Sequence, residues 1–242
     1  MSSTSQLLFE LSHRGRVELI NTLIKGPERL STLSEKLQMT SAEVSRHLKR
    51  LTNVNILSKN KDGEYYVTPY GRTVLYIMEK MEKLVENWRF FDMHDFSVLP
   101  EEMFCISNIL NANIITNVMH VISELTDVLK AAERFIDVIT TFDLLSTLYP
   151  YVGKTECRAL CRIISPDTPH HLRRFFKGKK GCEIRQWEDV RFSLFINEKR
   201  WILMVPDFSG RIDYTAALTE GDEGSIVRMR SLFQYCWDKA GK

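Results

Sequence analysis

The order of elements written into residues 28–69 does most to narrow the folds open to this chain. "ERLSTLSEKL" puts Leu30, Leu33 and Leu37 on one face of a short helix, with Ser31 or Ser34 available to cap it. A linker of a few residues, "QMTS", leads into "TSAEVSRHLKRL". There Val44, Leu48 and Leu51 fall at i, i+4, i+7, with Thr40 or Ser41 as N-cap. Two β-prone runs follow, "NILSKN" and "EYYVTP", and "KDG" between them is a strong hairpin signal. Upstream, "QLLFELSHRGRVELINTLIK" has roughly helical apolar spacing from Gln6 to Lys25, ended by Gly26-Pro27. Helix, helix, basic helix, hairpin and helix in about seventy residues make a winged helix-turn-helix.

In that arrangement the second helix of the motif enters a DNA major groove. Its polar face carries Thr40, Ser41, Ala42, Ser45 and Arg46 near the N-terminus, where base edges of double-stranded DNA are read. Lys49 and Arg50 lie further along and suit phosphate, as do Lys59 and Lys61 on the wing. His47 has two readings, packing at the back of the helix or DNA contact.

The stretch from Leu11 to Gly71 resembles the ArsR-type winged-helix repressors. The family's helix-initial Ser/Thr followed by VS-x-HLK-x-L is met by Thr40, Ser41, Val44, Ser45, Arg46, His47, Leu48, Lys49 and Leu51. The cysteine and carboxylate ligands of the metal-sensing members are missing, so the resemblance implies DNA binding without metal sensing.

Residues 70–91, "YGRTVLYIMEKMEKLVENWRFF", space Tyr70, Val74, Ile77, Met81, Leu84, Trp88 and Phe91 by alternating steps of 4 and 3. That heptad seam spans about three heptads. It could pack on its own domain. The favoured reading is a homodimer seam through Val74, Ile77, Met81, Leu84, Trp88 and Phe91, holding two recognition helices about 34–36 Å apart.

Beyond Pro100 strand-like and helix-like stretches alternate. "NIITNVM", "RFIDVIT", "CRALCRII", "CEIRQW", "RFSLFIN" and "RWILMVP" read as strands. "ISELTDVLKAAE", "DLLSTLYPYVG", "PDTPHHLRRFFKG" and "EGSIVRMRSLFQYCWDKA" read as helices. The expected fold class is α+β multidomain. Residues 1–69 form the winged helix-turn-helix DNA-binding domain, 70–99 a linker and dimerisation helix, and 100–242 an α/β effector or interaction domain with a mixed sheet. "FFDMHDFSVLPEE", "RFSLFINEKRWILMVPDFSGRID" and "LFQYCW" resemble the archaeal methanogenesis and filamentation regulators, whose middle domain is distantly similar to the sensor domain of sugar-responsive TrmB regulators. The resemblance implies an archaeal transcription factor with an effector or interaction domain.

Charge narrows the rest. The net charge is only +2, but residues 1–70 hold 10 Lys+Arg against 7 Asp+Glu, and 166–200 hold 9 against 5. Any nucleic-acid surface is therefore a local patch. The second basic cluster, with Arg173, Arg174 and Lys177, is a candidate site for an anionic small-molecule effector or an extension of the DNA footprint; a solvated helix end is the plainer reading. Trp187, Trp201 and Tyr214 could line a pocket or fill the core. Five cysteines with no C-x-x-C pair argue against a disulfide framework or zinc ribbon, and Cys157 and Cys161 read as buried residues on one strand face.

No phosphate-binding loop, zinc-protease motif or nucleophile elbow occurs, nor does the H-x-K of phospholipase-D chemistry. No enzyme, catalytic residue, metal or cofactor is expected. The absence of a signal peptide and of a long apolar run suggests a cytoplasmic protein with no membrane partner. The reading is a homodimeric, sequence-specific transcriptional regulator. The alternative is a non-enzymatic winged-helix interaction or architectural DNA-binding protein without effector.

Overall fold

A computed structural model describes residues 3–100, 106–141, 160–166, 174 and 181–241, and two compact units divide the chain between Glu82 and Lys83. The first unit opens with α1 (Thr4–Leu11) and α2 (Arg14–Leu23), where the apolar spacing had suggested a single helix. The break has a local cause. Arg16 folds back and donates from Nε to the Glu10 carbonyl at 2.6 Å and from Nη2 to the Phe9 carbonyl at 2.9 Å. Those are carbonyls that a helix end leaves without partners. Helix α3 (Leu30–Leu37) ends at Gln38, which takes the left-handed conformation at φ 53° that a glycine more often supplies. Arg29 stands at its N-cap without a side-chain bond, while Ser34 Oγ lies 3.3 Å from Ser41 Oγ.

Helix α4 (Ser41–Asn53) is capped by Thr40, whose hydroxyl accepts from Glu43 N at 3.2 Å. Strands β1 (Leu57–Lys59) and β2 (Tyr65–Val67) pair antiparallel with Lys59 opposite Tyr65. Their connection is longer than a two-residue turn. Asn60 Oδ1 accepts from Asp62 N at 3.0 Å and Glu64 N at 2.9 Å, and Gly63 closes the loop at φ +82°. Glu28 adds a bridge on the far side of β2, exchanging backbone hydrogen bonds with Tyr65. The core gathers Leu19, Ile20, Leu23, Leu33, Val44, Leu48, Leu51, Ile56 and Val74.

The expected seam from Tyr70 to Phe91 is interrupted. Helix α5 (Pro69–Glu86) gives way at Asn87 to α6 (Trp88–Met93), and a 3-10 turn follows at Phe96–Val98. Asn87 turns its side-chain amide onto the Lys83 carbonyl at 2.9 Å, the same acceptor its backbone N–H reaches at 3.1 Å, and so closes the last turn of α5.

In the second unit, a short helix α7 (Ile106–Asn111), β3 (Asn113–Ile115), α8 (Val118–Lys130), β4 (Phe135–Ile139), β5 (Leu160–Ser165), β6 (Cys182–Gln186), β7 (Ser193–Asn197), β8 (Trp201–Met204), β9 (Ala217–Glu220) and α9 (Glu223–Lys239) follow in order. The sheet runs β3-β9-β8-β7-β4-β5-β6, with β4, β5 and β6 parallel and the other pairs antiparallel. It is the expected mixed sheet.

Strict alternation explains the layers. Ile136 and Val138 face Val121, Leu125 and Val128 of α8, whereas Phe135 and Ile139 join the cluster with Ile226, Phe233 and Trp237 of α9. Trp201 is fully buried and donates from Nε1 to Ser225 Oγ at 2.9 Å, so it is a core residue. Trp187 and Tyr214 are partly buried against the two faces of the sheet. The stretch expected as a helix at 143–153 lies outside the described residues, as does Cys157, and Arg174 alone is described from the central part of the "PDTPHHLRRFFKG" stretch, in helical conformation. Among the described residues no helix is long and apolar enough to cross a membrane.

Candidate nucleic-acid interface

Helix α4 divides into two faces. Val44, Leu48 and Leu51 are wholly buried, and burying each is worth about 1.5–3 kcal/mol. Exposed helix ion pairs contribute only about 0.2–0.5 kcal/mol each, so the buried stripe sets how the helix is rolled. That roll leaves Ser41, Ala42, Ser45, Arg46 and Lys49 exposed, with Thr40 exposed at the N-cap. Arg46 makes no hydrogen bond or ion pair with any described residue.

Arg50 is placed differently. Its Nε and Nη2 both reach the Glu10 carboxylate, at 2.9 Å each to the nearer oxygens. Glu10 is 4% exposed and also faces Arg16 at 3.2 Å, so one carboxylate ties α1, α2 and α4 together. Hydrogen bonds from Arg50 hold the Glu10 carboxyl below its usual range, against the opposing effect of burial. Two of Arg50's donor nitrogens are thus spent inside the fold.

His47 turns inward and is 2% exposed, on the packing side of α4. Burial first, then the neighbouring His13 and Arg16, lower its pKa from the ordinary imidazole value. On the wing, Lys59 and Lys61 are exposed, and the Lys59 ammonium sits 5.3 Å from the Tyr65 ring centroid.

Along α5 and α6 the seam residues part company. Val74 joins the core of the first unit, and Phe91 packs against the core of the second. Ile77, Met81, Leu84 and Trp88 are exposed, at 53%, 42%, 38% and 56%. Of the second basic cluster Arg174 is described and exposed, while Arg173 and Lys177 lie outside the described residues. Among the described residues no group of three or more His, Cys, Asp or Glu side chains is placed to hold a metal ion.

Residues missed in the sequence reading are Glu10 and Arg16. Their signal was present as charged side chains within an otherwise apolar periodic stretch, but the partner of Glu10 lies forty residues away.

No curated protein matches the chain. Among solved structures it is similar to TrmBL2, described as an archaeal chromatin protein, at 12% identity over 99% of this chain and 100% of that one, with a TM-score of 0.43. Quinone-bound YodB from B. subtilis is similar at 20% identity over 34% of this chain and 94% of that one, with a TM-score of 0.31. Pseudomonas aeruginosa HmgR is similar at 14% identity over 93% and 96%, with a TM-score of 0.25. The family model described as bacterial regulatory protein, arsR family, matches residues 13–59, from the N-cap of α2 to the end of β1. The N-terminal segment of this chain therefore carries an arsR-type helix-turn-helix, set within a winged helix.

Proposed function

We propose that the chain is a homodimeric, sequence-specific DNA-binding transcriptional regulator. The observation that carries the reading is the exposed face of α4, from Thr40 through Arg46 to Lys49, directly opposite a fully buried stripe. With α4 in the major groove, Ser41, Ala42, Ser45 and Arg46 meet base edges, and Lys49, Lys59 and Lys61 meet phosphates. Arg50 contributes a charge near the backbone, since its fork is engaged by Glu10.

The homodimer is supported by the stripe that α5 leaves open at Ile77, Met81 and Leu84, with Trp88 following on α6. Residues 1–69 then serve DNA binding, 70–99 dimerisation, and 100–242 effector or partner recognition. Arg173, Arg174 and Lys177 remain the candidate effector cluster of that last part.

Duplexes selected from a random library test the proposal by fluorescence anisotropy. Arg46→Ala is expected to lose about 1–3 kcal/mol of affinity for the selected duplex and to relax discrimination at one position. Lys61→Ala should weaken selected and scrambled duplexes alike and flatten the salt dependence. Equal wild-type affinity for selected and scrambled duplexes would overturn sequence-specific reading and favour an architectural role.

A further inference from the structure

A pocket of about 360 Å³ opens where α1 meets α2 and is closed from behind by α4; Phe9, His13, Arg16, Arg46, His47 and Arg50 line it. His47, buried at its wall, has no hydrogen-bond partner on either ring nitrogen. Buried polar side chains nearly always have one. Glu43 does not serve, because its carboxylate stays 3.8 Å from His47 Nε2. The His13 ring stands 4.7 Å away, centroid to centroid, tilted at 51°. Gly15 keeps the space beside the ring, since a Cβ there would sit 3.3 Å from His47 Nε2.

The local charge is net positive. Glu10 is shared by two guanidiniums, Arg16 and Arg50, and with Arg46 the three guanidiniums outnumber the two nearby carboxylates, Glu10 and Glu43. The hydrogen bonds of Arg16 and Arg50 use their Nε and Nη2 atoms, leaving Nη1 of each to donate elsewhere. Phe9, 60% exposed, supplies a flat apolar wall, with the Arg50 and Arg16 guanidiniums 5.3 Å and 5.7 Å from its ring centroid. The volume is that of a metabolite site rather than of a single ion.

We propose that this pocket binds a small organic oxyanion, a carboxylate or phosphate ester on a flat apolar body. The anion sits between the guanidiniums of Arg46 and Arg50, the buried His47 ring turns to bring one of its partnerless nitrogens to it, and the apolar body rests on Phe9. Charge-assisted bonds from arginine to such oxyanions are among the stronger hydrogen bonds available. Arg46 is both a wall of this pocket and part of the groove face of α4. Occupancy therefore neutralises a charge needed at DNA and weakens duplex binding; this consequence rests on the DNA-binding reading above, whereas the anion site does not.

A backbone phosphate of DNA has the same oxyanion chemistry, so the test separates the two sources. The full chain, labelled with 15N-histidine, is titrated with phenyl phosphate, with inorganic phosphate and, separately, with a duplex, while the His47 and His13 ring signals are followed. Phenyl phosphate is expected to give a saturable shift of both histidines, at an affinity at least about tenfold above inorganic phosphate. His47→Phe fills the ring's volume without its nitrogens, and Arg46→Gln alters an exposed side chain. Each should weaken phenyl phosphate at least about tenfold. Retained affinity in a folded Arg46→Gln protein would overturn the proposal whatever becomes of His47→Phe. So would the absence of a saturable shift with phenyl phosphate. A shift with the duplex alone would overturn the small ligand and assign the pocket to backbone phosphate. Because the phenyl phosphate arm contains no DNA, a protein that fails to bind any duplex can still pass it.

Discussion

Glu10→Gln probes the junction on which both the recognition helix and the pocket depend. The Arg16–Glu10 pair has side chains 3% and 6% exposed, and removing one partner of a buried pair costs about 3–5 kcal/mol. Two features lower that figure. The amide keeps one acceptor oxygen, and the Arg50 side chain is 41% exposed, where solvent screens the ion pair. A loss of roughly 2–4 kcal/mol follows for the first unit. At about 4–8 °C per kcal/mol for a unit of this size, its melting midpoint should fall by roughly 8–32 °C.

The assay has a built-in control. Trp88, Trp187, Trp201 and Trp237 all belong to the second unit, so tryptophan fluorescence follows that unit while far-UV ellipticity also follows α1 to α4. An early ellipticity phase should separate in Glu10→Gln, with the fluorescence transition unmoved. The pH dependence adds a sign. Glu10 has a folded-state pKa below its usual 4.5, so its contribution is present above that value and is lost as pH falls through the depressed one. The gap between wild type and Glu10→Gln should be full at neutral pH and narrow below about 4.5. A midpoint change under about 2 °C, or a gap indifferent to acid, would refute the junction's role.

The other predictions divide between the units. A Cβ at Gly71 would collide with the Ile56 carbonyl oxygen and lie 3.0 Å from Val67 Cγ1. Gly71→Ala should therefore destabilise the first unit by roughly 1–3 kcal/mol, read as an earlier ellipticity phase. In the second unit Asp137 is fully buried and holds Arg162 at 2.8 and 2.7 Å, with Arg230 at 3.3 Å. Asp137→Ala should cost about 3–5 kcal/mol and move the tryptophan transition, because Arg162 stacks over Trp237. Sedimentation at micromolar concentration should find a wild-type dimer and a monomer for Ile77→Glu with Met81→Glu; a wild-type monomer would remove the α5 dimer.

What could be read ahead of the structure depended on how far apart the deciding partners lie. The stripe of α4 is self-contained: Val44, Leu48 and Leu51 share a face by helical geometry alone, and the polar residues between them are left outward. The sheet strands were legible for the same reason, since β8 and the Leu194–Ile196 centre of β7 are short continuous apolar runs of the kind a sheet covered on both faces requires. β9 has only Ala217 and Leu218 buried, too little pattern to mark a strand without knowing that β3 and β8 flank it.

The break between α1 and α2 was illegible for a different reason. Apolar spacing continues through Ser12 and His13, and what ends the helix is Arg16 reaching back to two carbonyls under the pull of Glu10. A charged residue at the edge of an apolar stripe looks solvated until its partner is known. Here the partner of Glu10 is Arg50, one helical turn beyond Arg46 on the same face of α4. Arg16 and Arg50, which with Glu10 hold α4 in place, thus also wall the proposed oxyanion pocket, and a ligand there is expected to act on α4 through Arg46 without any change in the core.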